Sequence, residues 1–118
     1  MIGIHLILDG VLSRDLMHEE VEQVLTSLPH EIDMQILEGP IIVEGLPGNP
    51  GWTGFVIIDK SHIAIHTFKQ GNKVSIDVFS CKHFRRDKVE EKLLEMLPLK
   101  FYNLQVLERD EKQLESAG

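Results

Sequence analysis

Cysteine is nearly absent: Cys81 is the only one in 118 residues, so no internal disulfide can form, and a lone thiol fits a reducing compartment. Long apolar runs are missing too. No stretch approaches the ~20 consecutive apolar residues that span a bilayer. The N-terminus lacks the basic segment, apolar run and small-residue cleavage site of a secretion signal. The formal net charge is -7 and the largest basic group is Arg85, Arg86 and Lys88, which argues against a nucleic-acid surface. No internal repeat or low-complexity tract is visible. The expectation is a soluble, cytoplasmic protein that meets neither nucleic acid nor membrane.

With 42% hydrophobic and 26% charged residues the chain has the balance of a globular domain. At this length folding removes roughly two thirds of the unfolded surface from water, enough for a core without a structural metal. A single domain over residues 1–118 is expected. "IGIHLIL" reads as a mostly buried strand ended by Asp9-Gly10. Ser13 is a candidate N-cap for an amphipathic helix carrying Met17, Val21, Val24, Leu25 and Leu28, stopped at Pro29. "MQIL" and "PIIVEGL" form a strand bent near Gly39-Pro40, since proline cannot donate to a central ladder. "PGNPGWTG" (Pro47 to Gly54) concentrates turn-formers and reads as a loop.

From Phe55, "FVIIDKSHIAIHTF" and "KVSIDVFSC" flank Gln70-Gly71-Asn72 as a hairpin. A second helix, from about Arg85 to Leu97, turns Val89, Leu93, Met96 and Leu97 to one side and ends at Pro98. "KFYNLQVLE" supplies a last strand, and the polar "RDEKQLESAG" should fray. The order β-α-β-β-β-α-β predicts an α+β two-layer sandwich, a mainly antiparallel sheet with two helices on one face.

The hairpin gathers unusual chemistry. Pairing about its turn sets residues whose numbers sum to roughly 141 opposite one another, which brings Cys81 beside Lys60 and Ser61. His66, five residues along a regular strand, lies ~16 Å away and on the other face. Either the strand breaks near Ser61, or His66 serves a different site, one completed by a second chain. His62, His66 and Cys81 lack the paired spacing of a structural zinc site, and no metal is expected. "DKSHI" has no glycine-flanked elbow of the kind a hydrolytic serine occupies. From periodicity alone, small polar residues on the exposed face of a half-buried hairpin account for the cluster, and His62 needs no chemical role.

"SHIAIHTF" followed by "IDVFSC" resembles the core of the prokaryotic S-adenosylmethionine decarboxylase family, with its Ser-His-x-x-x-His-Thr-aromatic and Asp-x-x-x-Cys segments at the same separation. The similarity reaches outward to "GIHLILDG" and "GWTGFVII" and covers most of the chain in order. The resemblance implies a self-cleaving proenzyme, cut between Lys60 and Ser61, whose serine becomes a pyruvoyl group. That group forms a Schiff base with the substrate amine and takes the place of pyridoxal phosphate as electron sink. No diffusible cofactor is then needed. By the same resemblance His66 assists processing, Thr53 helps position the scissile carbonyl, and Cys81 is the general acid, a thiol being mostly protonated at neutral pH. Phe68 matches an aromatic position and would stack on adenine.

Two positions depart from the family pattern. Lys60 stands where glutamate usually precedes the serine. Gln70 replaces the carboxylate expected to hold the ribose hydroxyls, and an amide binds two hydroxyl donors less well than a carboxylate. The implied activity is decarboxylation of S-adenosylmethionine for spermidine and other polyamines. The alternatives are a pyruvoyl decarboxylase of a basic amino acid such as arginine or ornithine, and a non-processing nucleoside binder. A homodimer is expected, because a single layer of strands leaves one sheet face uncovered and Ile63, Ile65, Val74, Ile76 and Val78 read as distributed over both faces of the hairpin.

Overall fold

The computed structural model describes residues 1–115. Its elements in chain order are β1 (Gly3–Leu12), α1 (His18–Glu31), β2 (Ile36–Glu44), β3 (Trp52–Ile58), β4 (Ser61–Phe68), β5 (Lys73–Ser80), α2 (Arg86–Met96), β6 (Leu99–Arg109) and the short α3 (Lys112–Glu115). The six strands form one sheet in the order β2-β3-β4-β5-β1-β6, and every pairing is antiparallel. The α+β class is as expected. The strand count is not: the segment read as one strand from Phe55 to Phe68 is two, folded back at Asp59-Lys60.

Period-two burial decides which face each strand shows the helices. Leu6 and Leu8 of β1, Val56 and Ile58 of β3, Ile63 and Ile65 of β4, and Val74, Ile76 and Val78 of β5 are buried in one cluster. Val21, Val24, Leu25 and Leu28 of α1, with Val89 and Leu93 of α2, complete it. The five hairpin residues cited above for an uncovered face therefore sit beneath the helices. Cross-strand partners share a face, and Ile63↔Val78 and Ile65↔Ile76 are such partners.

Local readings were corrected by packing in four places. β1 runs through Asp9-Gly10 to Leu12. Gly10 marks a close approach and no turn, since a Cβ there would meet Leu99 Cδ2 at 2.8 Å and the Phe101 carbonyl oxygen at 2.9 Å. α1 starts at His18, not after Ser13: Glu20 accepts the Met17 N–H at 2.8 Å, while the Ser13 N–H is held by the Pro98 carbonyl at 2.8 Å. Pro29 lies inside the last turn of α1, where it forfeits only its own bond to the preceding turn. The glycine-rich loop stops at Gly51, and Trp52 to Gly54 already pair with β4 or β2. The bend at Gly39-Pro40 is as expected, a register shift between Glu38 and Ile41 on the edge strand β2. In the C-terminal tail, Lys112–Glu115 form a helical turn; the rest of that expectation falls on residues 116–118, outside those described.

α1 crosses the sheet at Gly54, where an added Cβ would meet Leu25 Cδ1 at 2.8 Å and both Ile65 Cγ2 and Val21 Cγ1 at 3.0 Å. Gly54→Ala should therefore push α1 off β3 and lower stability by about 1–3 kcal/mol, as overpacking does. A denaturant midpoint equal to that of the parent protein would show that the helix gives way freely.

Candidate active site

β3 and β4 form a hairpin whose pairing runs from Thr53↔His66 down to Ile58↔Ser61, leaving Asp59 and Lys60 as the turn. Lys60 has φ 54°, the left-handed region that costs a residue with a Cβ roughly 1–2 kcal/mol. Ser61 is the first residue of β4 and is 6% exposed. Its Oγ accepts the Cys81 N–H at 2.9 Å. The Cys81 thiol is directed to the Asp59 carbonyl oxygen, 3.6 Å away. Ser61, Cys81 and the turn backbone thus meet, as the hairpin arithmetic expects: His62↔Phe79 and Ile63↔Val78 both sum to 141.

Thr53 and His66 form a second group at the far end of the same hairpin. Thr53 Oγ1 and His66 Nδ1 share a hydrogen bond of 3.2 Å. Ser61 points with Ile63 and Ile65 toward the core, and His66 lies on the opposite parity, so within one chain the two groups occupy opposite faces and ends of β4. Phe68 lines a cavity of about 470 Å³ on the open face with Asp9, Val11, Ser75, Phe101 and Asn103. Gln70 is exposed in the turn between β4 and β5.

Three features of the site were not read from the sequence. One is the Asp59 carbonyl on the Cys81 thiol. Another is the buried hydroxyl of Ser80, whose position next to Cys81 was the available signal. The third is the polar and aromatic set across the open face. There His62 stacks on Phe55 at 5.5 Å between ring centroids and lies 5.7 Å from Phe79. Arg109 covers the Phe79 ring at 5.1 Å. His5 Nε2 lies 3.6 Å from Asp77 and has no hydrogen-bond partner. Among the described residues no three His, Cys, Asp or Glu side chains converge to hold a metal, and no helix is long and apolar enough to cross a membrane.

Burial, followed by the nearby charges of His5 and Arg109 against the opposing Asp77, holds the His62 imidazole below its ordinary value of 6.5. Protonating it therefore costs more in the folded protein than in the unfolded chain. Its contribution to stability is full above pH 6.5 and is lost as pH falls through the depressed folded value. His62→Gln should flatten that acid-side loss in a urea-midpoint series, and an unchanged slope would assign the loss to other groups.

An antiparallel sheet backed by two helices, with a serine hydroxyl and a cysteine amide joined at a hairpin tip, defines a two-layer α+β protein with a candidate site at the turn. Residues 5–110 match the family profile of S-adenosylmethionine decarboxylase, and the chain belongs to that family. An S-adenosylmethionine decarboxylase proenzyme of Prochlorococcus marinus (strain MIT 9211) is 38% identical over 61 residues, 51% of this chain and 50% of that protein. Another, from Geobacillus kaustophilus (strain HTA426), is 43% identical over 47 residues, 40% of this chain and 38% of that protein. The matched region spans half or less of these curated relatives' length. The crystal structure of the adenosylmethionine decarboxylase from Aquifex aeolicus VF5 superposes with a TM-score of 0.73 at 22% identity, covering 92% of this chain and 90% of that one. That likeness is one of fold.

Proposed function

We propose that this chain is a pyruvoyl-dependent decarboxylase of S-adenosylmethionine, formed by its own cleavage between Lys60 and Ser61 and supplying decarboxylated S-adenosylmethionine for polyamine synthesis in a reducing cytoplasm. The observation that carries the reading is the hairpin tip: a nearly buried serine whose hydroxyl is held by the Cys81 amide, directly after a residue in the left-handed region.

The cleavage chemistry balances with groups of this chain and water. Ser61 Oγ adds to the Lys60 carbonyl carbon, and the C–N bond to Ser61 breaks as that nitrogen takes a proton, leaving an ester. Loss of the Ser61 α-proton, with rupture of the Cβ–Oγ bond, releases the Lys60 carboxylate. Water then converts the enamine at residue 61 to a ketone with loss of ammonia. The residues fit such a group. The broken bond lies in the turn, so every β3–β4 pair from Ile57↔His62 outward survives the cut, only the N–H of residue 61 leaving with the ammonia, and the left-handed conformation of Lys60 is relieved by it.

The pyruvoyl group at residue 61 supplies the electron sink for loss of carbon dioxide. Cys81, at the rim beside the Asp59 carbonyl, holds the proton to be returned to the substrate's α-carbon. Phe68 lies further along β4 from Ser61 than His66 does, so its open, apolar 470 Å³ depression suits a stacked adenine when a second chain presents it to the turn.

The working unit in this proposal is a two-fold homodimer in which the partner supplies the Thr53–His66 pair. A base must come within hydrogen-bond reach of the proton it takes, and His66 lies about 16 Å along the strand from Ser61 in its own chain. The sheet face away from the helices offers a surface for that partner: Phe55 is 36%, Ile57 40% and Leu107 51% exposed, a grouping that favours association. The exposed turn Asp59-Lys60 at its end is where the partner meets the scissile peptide, the Ser61 side chain itself being turned to the core.

Intact mass of the purified, incubated protein tests the reading. Two fragments, the C-terminal one reacting with hydroxylamine, support it, whereas a single persistent chain without a reactive carbonyl overturns it.

A further inference from the structure

Ser80 is fully buried, yet its hydroxyl faces neither a substrate cavity nor another side chain. It donates to the Lys82 carbonyl at 2.7 Å and accepts the Lys82 N–H at 3.2 Å, closing a small ring across Cys81. Packing restricts the same backbone. A Cβ on Gly3 of the neighbouring strand would meet the Ser80 carbonyl oxygen at 2.5 Å, so β1 lies hard against this point. Lys82 is tied down a third way, through Nζ to the Asp33 carbonyl at 2.7 Å. A regular ladder would not hold Cys81 here, because β5 ends at Ser80.

We propose that Ser80 is a positioning residue: by bridging both backbone groups of Lys82 it fixes the peptide of Cys81 so that its N–H stays on Ser61 Oγ. This deepens the self-cleavage reading and rests on it. In the acyl shift Ser61 Oγ gains negative charge as it becomes the nucleophile, and in the elimination the same oxygen leaves as part of the Lys60 carboxylate. An N–H already aimed at that oxygen stabilises charge in both steps without reorganising. The amide of Cys81 then serves processing, and its thiol serves turnover.

Lys82 is exposed, so in Ser80→Ala water can replace the lost hydrogen bonds and the fold should persist, while the single orientation of the Cys81 peptide is lost. Two readouts are taken on Ser80→Ala and Ser80→Thr: the cleavage time course by intact mass, and hydrogen exchange at the Cys81 amide of the uncleaved chain, in which Ser61 Oγ is still present. Ser80→Ala should cleave about tenfold more slowly, the penalty of a misdirected donor to a charged oxygen. Its Cys81 amide should exchange at least about tenfold faster, with the amides of β4 and β5 unchanged. Ser80→Thr, which keeps the hydroxyl, should restore both. Unchanged exchange and unchanged cleavage in Ser80→Ala would overturn the proposal, as would parent-like values in Ser80→Ala alongside a slowed Ser80→Thr. A parent protein that never cleaves would sink the self-cleavage reading, and the exchange result alone would then decide the clamp.

Discussion

Ser61→Ala will remain one chain of 13.5 kDa under conditions in which the parent protein separates into residues 1–60 and 61–118, and it will release no carbon dioxide from S-adenosylmethionine. Alanine removes the only atom of residue 61 that can attack the Lys60 carbonyl, so no ester, elimination or ketone can follow. The loss should be complete on any practical timescale. The fold should tolerate the change: the side chain shrinks by one atom, and the Cys81 amide loses its 2.9 Å partner at the half-exposed end of a strand. A net cost of about 1 kcal/mol is expected for that hydrogen bond. Intact mass, hydroxylamine labelling and a carbon dioxide assay together check the result. Cleavage at the same bond in this variant would remove Ser61 from the chemistry and with it the whole mechanism.

Chains carrying His66→Ala should process about 10²–10⁴-fold more slowly than the parent, the usual worth of a positioned acid or base. Mixed with Ser61→Ala chains, they should recover. In a mixed dimer the His66→Ala chain keeps its own Ser61 and receives Thr53 and His66 from its partner. One of the two sites is then complete, and random exchange puts about half of the dimers in that state. Cleavage should appear only on chains that carry Ser61, at close to the parent rate, and light scattering should report a dimer throughout. Two outcomes count against a composite site: a monomer with full activity, or a mixture as slow as His66→Ala alone. The Thr53–His66 hydrogen bond of 3.2 Å adds an internal check, because Thr53→Val should slow cleavage in the same complementation group as His66→Ala.

Sequence by itself determined the parts of this protein that depend on short-range spacing. The 3.6-residue pattern located both helices, and a turn at Gln70-Gly71-Asn72 fixed a register in which Cys81 returns to Ser61, because antiparallel pairing is set once its turn is known. The face assignment of Ile63, Ile65, Val74, Ile76 and Val78 followed from that same register, since partners across a ladder share a face; reading them as divided between two faces overlooked a relation the sequence already carried. Other features were decided only in the assembled fold. The fold-back at Asp59-Lys60 has no glycine, proline or asparagine to announce it. Lys60 is held at φ 54° because β3 must pair with both β2 and β4, a constraint stronger than the preference of one lysine. The separation of Ser61 from Thr53 and His66 has the same origin. The fold-back makes Ser61 the start of a new strand with its side chain turned to the core, while His66, five residues on, takes the other face and lies beside Thr53. Period-two geometry puts residues five apart on opposite sides of a strand, and only the neighbours of that strand determine which of those sides is buried.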